Sequence, residues 1–454
     1  VNPIKKYYSF DSLLLSTGWL SPGYVGVDGV GTIQYLSDKS PVDSVAIESI
    51  HGFALPGFRN AHSHAFQFGM AGMAEKHRPG TNDDFWSWRE AMYRCALSLD
   101  PTAVEHIAAM LYAELLKKGY THVAEFQYLH HDKDGKPYAN YAEMGERLVA
   151  AAETAGIRIT LIPVFYQQGN FGKEPFPEQR RFISKTIDEY FQLLDDSAHV
   201  VAHAPHARLG FSVHSLRAVK PNDVVRTFEQ GPSTIPFHLH AAEQKKEVAD
   251  CFLFHKQTPI EWLLNNLPVN ERFHIVHCTH LTDHEVAALA KSRAHVVLCP
   301  GTEGNLGDGI FRLTDFASQG GQWSIGTDSH ISLNPLEDLR WLDYAQRFTT
   351  HKRNTFDDGA AILVDKTFHA GNSAMGFSSS EYFSVGQKLD AVIYDAHRPL
   401  LSQARREHLL SAIIYTASPA EILGTMIDGK WIVKNNYHFR EGEIFKSFTS
   451  THAK

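Results

Sequence analysis

The chain has 454 residues, with 43 Lys and Arg against 51 Asp and Glu, and it carries 27 histidines. Hydrophobic residues make up 43%, enough for a large buried core, which excludes a mainly disordered chain. A formal net charge of −8 gives no electrostatic case for binding nucleic acid or an anionic membrane surface.

Residues 1–56 show short apolar runs broken by turn residues (YYSFDSLLL, GYVGVDGVGTIQYL, SVAIESIHGFALPGF) and predict small β-structure. No small-residue cleavage site follows VNPIKKYYSFDSLLL, so this segment reads as a first strand rather than a signal peptide. From residue 57 short apolar strands alternate with longer amphipathic segments. Asp100 and Pro101 supply an N-cap and an N1 proline. Val104, Ile107, Ala108, Leu111 and Leu115 then recur at helical spacing until Gly119. THVAEFQYL predicts a strand, a helix follows around Glu143 to Thr154 before Gly156, and IRITLIPVFY predicts the next strand.

The alternation continues through RLGFSVHSL, PFHLHAAE, FHIVHCTH, AHVVLCPGTE and QWSIGTDSH. With the strand ending in FRNAHSH these are eight candidate strands, which predict a (β/α)8 TIM-like barrel over residues 57–380. An open doubly wound sheet would carry a glycine-rich phosphate turn after its first strand, and none is present. After residue 380, SVGQKLDAVIYD and GTMIDGKWIVKNNYHF return to strand-and-turn text, with a helical stretch at 403–415. Residues 1–56 plus 381–454 are therefore expected to pair as one small β-sandwich domain beside the barrel.

No run approaches the roughly 18 apolar residues of a spanning helix. Cys95, Cys251, Cys278 and Cys299 include no CxxC pair, a usage that suits a reducing cytoplasm. The expectation is a soluble cytoplasmic protein with no membrane or nucleic-acid partner.

Several histidines fall at the C-terminal ends of predicted barrel strands, where barrel enzymes carry their sites. His62 and His64 are two apart on a strand end, so both point to one face and can meet one ion. His240 ends the fifth strand, His277 the sixth, and Asp328 follows the apolar eighth strand, where an unpartnered carboxylate would be costly. His62, His64, His240 and Asp328 around one divalent ion leave a position for water, as catalytic metal sites do. Their N and O donors suit zinc and also accept iron(II) or another divalent ion. The third and fourth strands supply no bridging Lys or Glu, so one ion is expected rather than two. His238 shares the face of His240 and competes with it, but His240 lies nearer the strand end. Cys278 should point away from His277 on an alternating strand, and His130 and His131 read as loop residues.

This pattern resembles the amidohydrolase superfamily, and Glu243 in HAAE resembles its single-metal aminohydrolase branch. Longer segments, PGFRNAHSHAFQFGMAGMAE, FWSWREAMYR, HLHAAEQKKEV, GTEGNLGDGIF and DSHISLNPLEDLRWLDYAQR, are similar to the formimidoylglutamate deiminases and cover the barrel almost end to end. The resemblance implies metal-dependent hydrolysis of N-formimino-L-glutamate, a small-molecule substrate from histidine breakdown, to N-formyl-L-glutamate and ammonia. It implies Asp328 as base, His277 orienting or helping to deprotonate the water, and Glu243 as the shuttle that protonates the leaving amine, a load His277 can share. Arg217, His214, Arg89, Gln67 and Tyr128 match positions that contact substrate in that family, and a homodimer is expected. Pro300, Gly301 and Thr327 depart from the family pattern as small loop changes. The rival readings are an aminohydrolase acting on a nucleobase or another amidine, and a catalytically silent barrel that binds an acidic small molecule.

Overall fold

A computed structural model describes residues 2–42, 45–75, 85–378 and 381–452. The eight barrel strands are β1 (Phe58–Ser63), β2 (Tyr120–Gln127), β3 (Arg158–Phe165), β4 (Phe211–Ser215), β5 (Phe237–Ala241), β6 (Phe273–His277), β7 (His295–Leu298) and β8 (Gln322–Ile325). They pair in chain order and in parallel. Every residue of β1, β2, β5 and β6 is buried, as expected of parallel strands with both faces covered. Gly210 breaks the predicted fourth strand, leaving Ala207–Leu209 to pair on β3 separately.

The ring closes between β1 and β8. Asp328 N–H donates to the His62 carbonyl at 3.0 Å, and His64 N–H donates to the Asp328 carbonyl at 3.3 Å. Closure needs glycine at 326, because a Cβ there would stand 2.7 Å from His62 Cβ and 2.8 Å from its backbone nitrogen. The side chains of Asn60 and Thr327 pin the same seam: Asn60 Nδ2 donates to Thr327 Oγ1 at 2.7 Å, and Thr327 N–H donates to Asn60 Oδ1 at 2.9 Å. The threonine that departs from the family pattern therefore holds the barrel shut.

The helices start and stop where their signals stand. The Pro101–Lys117 helix is capped by Asp100, whose carboxylate accepts from Ala103 N–H at 2.8 Å. The Glu143–Ala155 helix ends on Gly156 in the left-handed conformation. The Pro300–Leu306 helix begins with the predicted departure, Pro300, at its first position.

Strands from both ends of the chain form a second sheet. Its order runs Tyr437–His438, Lys430–Lys434, Ile422–Ile427, Ala391–Asp395, Ile47–Pro56, Lys6–Leu15, Gly23–Val27, Ile33–Ser37. All pairings are antiparallel except Lys6–Leu15 with Ile47–Pro56. It is one continuous sheet. Ile47–Pro56 leads directly into β1, which ties the sheet to the barrel floor at the N-terminal ends of the strands. Among the described residues no helix is long and apolar enough to cross a membrane.

Candidate active site

Register across the parallel strands decides what faces the barrel interior. His240 on β5 pairs with Val276 on β6, which pairs with Val297 on β7, which pairs with Ser324 on β8. These residues share one face. His62, His64 and Asp328 reach the same point from the seam between β1 and β8. His62 Nε2 lies 3.1 Å from His64 Nε2 and 3.0 Å from His240 Nε2, and Asp328 Oδ1 lies 3.2 Å from His64 Nε2 and 3.7 Å from His62 Nε2. All four side chains are buried.

Tautomers show what this cluster wants. His64 Nδ1–H donates to the Phe126 carbonyl at 2.9 Å and His240 Nδ1–H to the His214 carbonyl at 3.0 Å, so each presents an Nε2 lone pair to the cluster. His62 Nε2 meets both lone pairs at hydrogen-bond distance, and its one proton satisfies only one of them. Burial lowers the pKa of His62 and of His240, and neighbouring imidazoles lower both further, so the rings are neutral. Three nitrogens and a carboxylate oxygen at such separations fit a divalent cation with bonds of about 2 Å. Glu125 braces the two-residue step between the first histidines: its carboxylate accepts from Ser63 Oγ and Ala65 N–H, both at 2.6 Å. Burial pushes Glu125 up to about 7 against those bonds.

His277 stands beside the cluster for a reason that alternation does not contain. Val276 holds the inward position on β6, so a regular strand would turn His277 outward. The backbone instead enters the left-handed region at His277 (φ 73°) and Cys278 (φ 51°), which re-aims the imidazole into the barrel. Ala242, Asp328 and His330 are left-handed too, at φ 55°, 49° and 65°. Such non-glycine strain gathers at functional sites. His277 Nε2 lies 3.7 Å from Asp328 Oδ2 and 3.8 Å from Glu243 Oε1, and Nδ1 lies 3.2 Å from Glu303 Oε1. Burial alone would lower its pKa, but Glu243, Glu303 and Asp328 together hold it up to about 10.

Glu243 is buried at the same point and its pKa is raised, burial outweighing the pull of His277 and Arg217. Arg217 Nη2 lies 3.6 Å from Glu243 Oε2 and its Nε 3.8 Å from Glu247 Oε1. Glu247 also accepts from Glu243 N–H at 2.9 Å, so it positions both the acid and the arginine.

Above the cluster lies a pocket of about 550 Å³ counted out to its mouth. Gln67, Arg89, Tyr128, His214, Arg217, His240, Glu243, His277 and Asp328, all expected from the sequence, line it together with His64. His62 is the one expected site residue off the lining; it lies behind His64. Gln67 Nε2 donates to Tyr128 Oη at 2.7 Å, and the His214 ring stacks 4.8 Å from His240. Arg89, on the Phe85–Ser98 helix, sits 5.6 Å over the Tyr93 ring.

Sequence reasoning missed part of this site. Tyr93 and Tyr166 line the pocket, and Gln179 Nε2 donates to both hydroxyls, at 3.0 and 2.8 Å. Glu303 was visible only as a letter in GTEGNLGDGIF; its spacing from Cys299, whose N–H it accepts at 2.9 Å, is the signal that could have exposed it.

His238, His130 and His131 have hydrogen-bond partners outside the cluster. His238 Nε2 donates to the Ala374 carbonyl at 2.9 Å, His130 to Val164 and His131 to Ile183. His238, His274 and His295 stack one strand to the next at 4.8 Å near the barrel floor. Cys278 is buried and outside the cluster.

The amidohydrolase family model matches residues 53–432. A formimidoylglutamate deiminase of Pseudomonas aeruginosa is 41% identical over 441 residues, 96% of each chain. A 5-methylthioadenosine/S-adenosylhomocysteine deaminase of Pelotomaculum thermopropionicum is 24% identical over 84% of this chain and 80% of its own. Among solved structures, an amidohydrolase from Brucella melitensis superposes with a TM-score of 0.91 at 36% identity, over 99% of both chains. The metal-donor cluster at the C-terminal ends of a parallel barrel and the match along most of its length give the same answer: the chain belongs to the amidohydrolase family.

Proposed function

We propose that this enzyme hydrolyses N-formimino-L-glutamate to N-formyl-L-glutamate and ammonia. The observation that carries the reading is the company the four donors keep: two arginines, Arg89 and Arg217, line the same pocket as His64, His240 and Asp328. A substrate with two carboxylates uses two planar guanidinium forks, and a neutral nucleobase uses neither. The name of the Pseudomonas aeruginosa relative, at 41% identity, supports the same substrate.

In this reading His62, His64, His240 and Asp328 hold one divalent ion, zinc in first place given three imidazoles and one carboxylate, with iron(II) also accepted. When bound, the ion supplies Lewis acidity and makes a water acidic enough to react near neutral pH. Asp328 turns Oδ1 to the histidines and Oδ2 to His277, so one oxygen serves as ligand while the other takes the water's proton. A carbon–oxygen bond forms at the formimino carbon and its carbon–nitrogen bond to the terminal nitrogen breaks. Glu243, within reach of His277, delivers a proton to the departing ammonia. Gln67 and Tyr128 orient the formimino end, and His214 packs beside it.

The division into 1–56 with 381–454 and 57–380, a homodimer and a cytoplasmic setting belong to the same proposal. Four buried, unbridged cysteines support the last. The test is ammonia release from N-formimino-L-glutamate against guanine, cytosine and adenosine. Turnover of N-formimino-L-glutamate alone is expected; turnover only of a nucleobase overturns the proposal.

A further inference from the structure

A second cavity opens at the other end of the barrel, between the N-terminal ends of β1–β3 and the terminal sheet. It encloses about 1000 Å³ counted out to its mouth. Four cations line it: Arg59 on β1, Arg158 on β3, Arg208 just before β4, and Lys388 ahead of the Ala391–Asp395 strand.

Two of the four are balanced. Arg158 Nε and Nη2 reach the two Asp390 oxygens at 2.7 and 3.2 Å, and Nη2 reaches Asp428 Oδ1 at 2.7 Å. Lys388 Nζ lies 3.4 Å from the same Asp428 oxygen.

The other two are not. Arg59 is buried, and its donors go to neutral groups: Nε to Asn372 Oδ1 at 2.8 Å, Nη1 to Thr121 Oγ1 at 3.0 Å and to the Gly57 carbonyl. Arg208 Nη1 donates to the Gly376 carbonyl at 3.0 Å, and its guanidinium lies 3.9 Å over the Phe377 ring. Among the described residues neither arginine makes an ion pair, and Nη2 of each carries no hydrogen bond. Glu381 lines the mouth but is exposed, and it accepts from Ser16. Only Arg59 is buried, and a buried cation is normally paired, because desolvating an isolated one costs several kcal/mol; Arg208 is exposed and lines the same cavity. Desolvation lowers the proton affinity of Arg59 and, by partial burial, of Arg208; Asp390, itself bonded to Arg158, opposes this at Arg59, while Arg158 adds to it at both. Burial and all three arginines likewise keep His122, in the same wall, neutral. The unmet demand is for negative charge.

We propose that this cavity binds a small dianion, a phosphate or a dicarboxylate, whose oxygens accept from the open edges of Arg59 and Arg208. The ligand would join the barrel floor to the terminal sheet through Lys388. This site is independent of the catalytic pocket and of the substrate assigned above.

The test titrates inorganic phosphate, and separately succinate, into the metal-loaded full chain at constant ionic strength, read by calorimetry and thermal melting. One or both should bind saturably and raise Tm, and the two arms identify the chemistry. Arg208→Gln should weaken that binding about tenfold, the equivalent of one charge-assisted contact, and leave basal turnover unchanged. Arg217→Lys, at the opposite end of the barrel, should leave it unaltered. Absence of saturation by either anion in the millimolar range overturns the proposal. So does unchanged affinity in Arg208→Gln, or affinity that follows Arg217→Lys, which would assign the binding to the catalytic pocket.

Discussion

Glu243→Gln removes a proton donor, together with one of the three carboxylates that face His277. Glu243 is 5% exposed, and Gln has nearly its shape. The backbone bond from residue 243 to Glu247 at 2.9 Å survives, and Arg217 keeps Glu247 at 3.8 Å as its counter-charge. Glu243 is not among the four clustered donors, so metal content should stay at the wild-type level. What goes is the group that protonates a poor leaving amine. Positioned general acids contribute about 10²–10⁴-fold, so kcat should fall by that factor, or about 2.7–5.4 kcal/mol of barrel-site transition-state stabilisation. KM should move by no more than about threefold, because the interaction matters only once the carbon–nitrogen bond is breaking. Steady-state ammonia release with metal analysis of the same sample reads all three quantities. A kcat within about tenfold of wild type would refute the assignment of the shuttle, and so would a fall in activity that merely tracks lost metal.

Three further outcomes follow from the same geometry. Arg89→Met should raise KM for N-formimino-L-glutamate about tenfold with kcat little changed, since one charge-assisted carboxylate contact is lost; an unchanged KM would exclude Arg89 from substrate binding. Glu303→Gln keeps the Cys299 N–H bond but takes the charge from behind His277, and should lower kcat about 10–100-fold at full metal content. A kcat indistinguishable from wild type would make Glu303 a packing residue. Arg158→Met leaves Asp390 buried without its bidentate partner and should cost about 3–5 kcal/mol in denaturant unfolding. A loss under about 1 kcal/mol would show that this ion pair does not hold the terminal sheet to the barrel.

The strands and the clustered candidate donors were legible because each is a local pattern. Eight apolar segments alternate with helices, and each holds a barrel strand, although Gly210 divides the fourth segment and the seventh and eighth leave the sheet after Leu298 and Ile325. His62 with His64, and His240 on the inward face of its strand, follow from a period of two. His277 was placed correctly by its position at a strand end, while alternation alone would have turned it outward; the left-handed residues at 277 and 278 are set by tertiary closure that no local pattern encodes. Gln179, Tyr93 and Tyr166 were not legible, because they meet only when two loops and a helix fold over the same barrel mouth. Glu303 escaped for a related reason: its partner His277 lies 26 positions earlier, on the neighbouring strand. The unpaired arginines of the barrel floor were equally silent, since an arginine missing its counter-ion looks like any other until its surroundings are known.

The central claim is that one divalent ion, held by His62, His64, His240 and Asp328, is required for hydrolysis of N-formimino-L-glutamate. The most direct test measures metal per chain and ammonia release on one preparation as purified, after chelation, and after zinc is added back, beside His240→Ala. One ion per chain, lost together with turnover, recovered with zinc and absent from His240→Ala, is the predicted result. Full turnover by metal-free protein, or one ion per chain retained by His240→Ala, would contradict it.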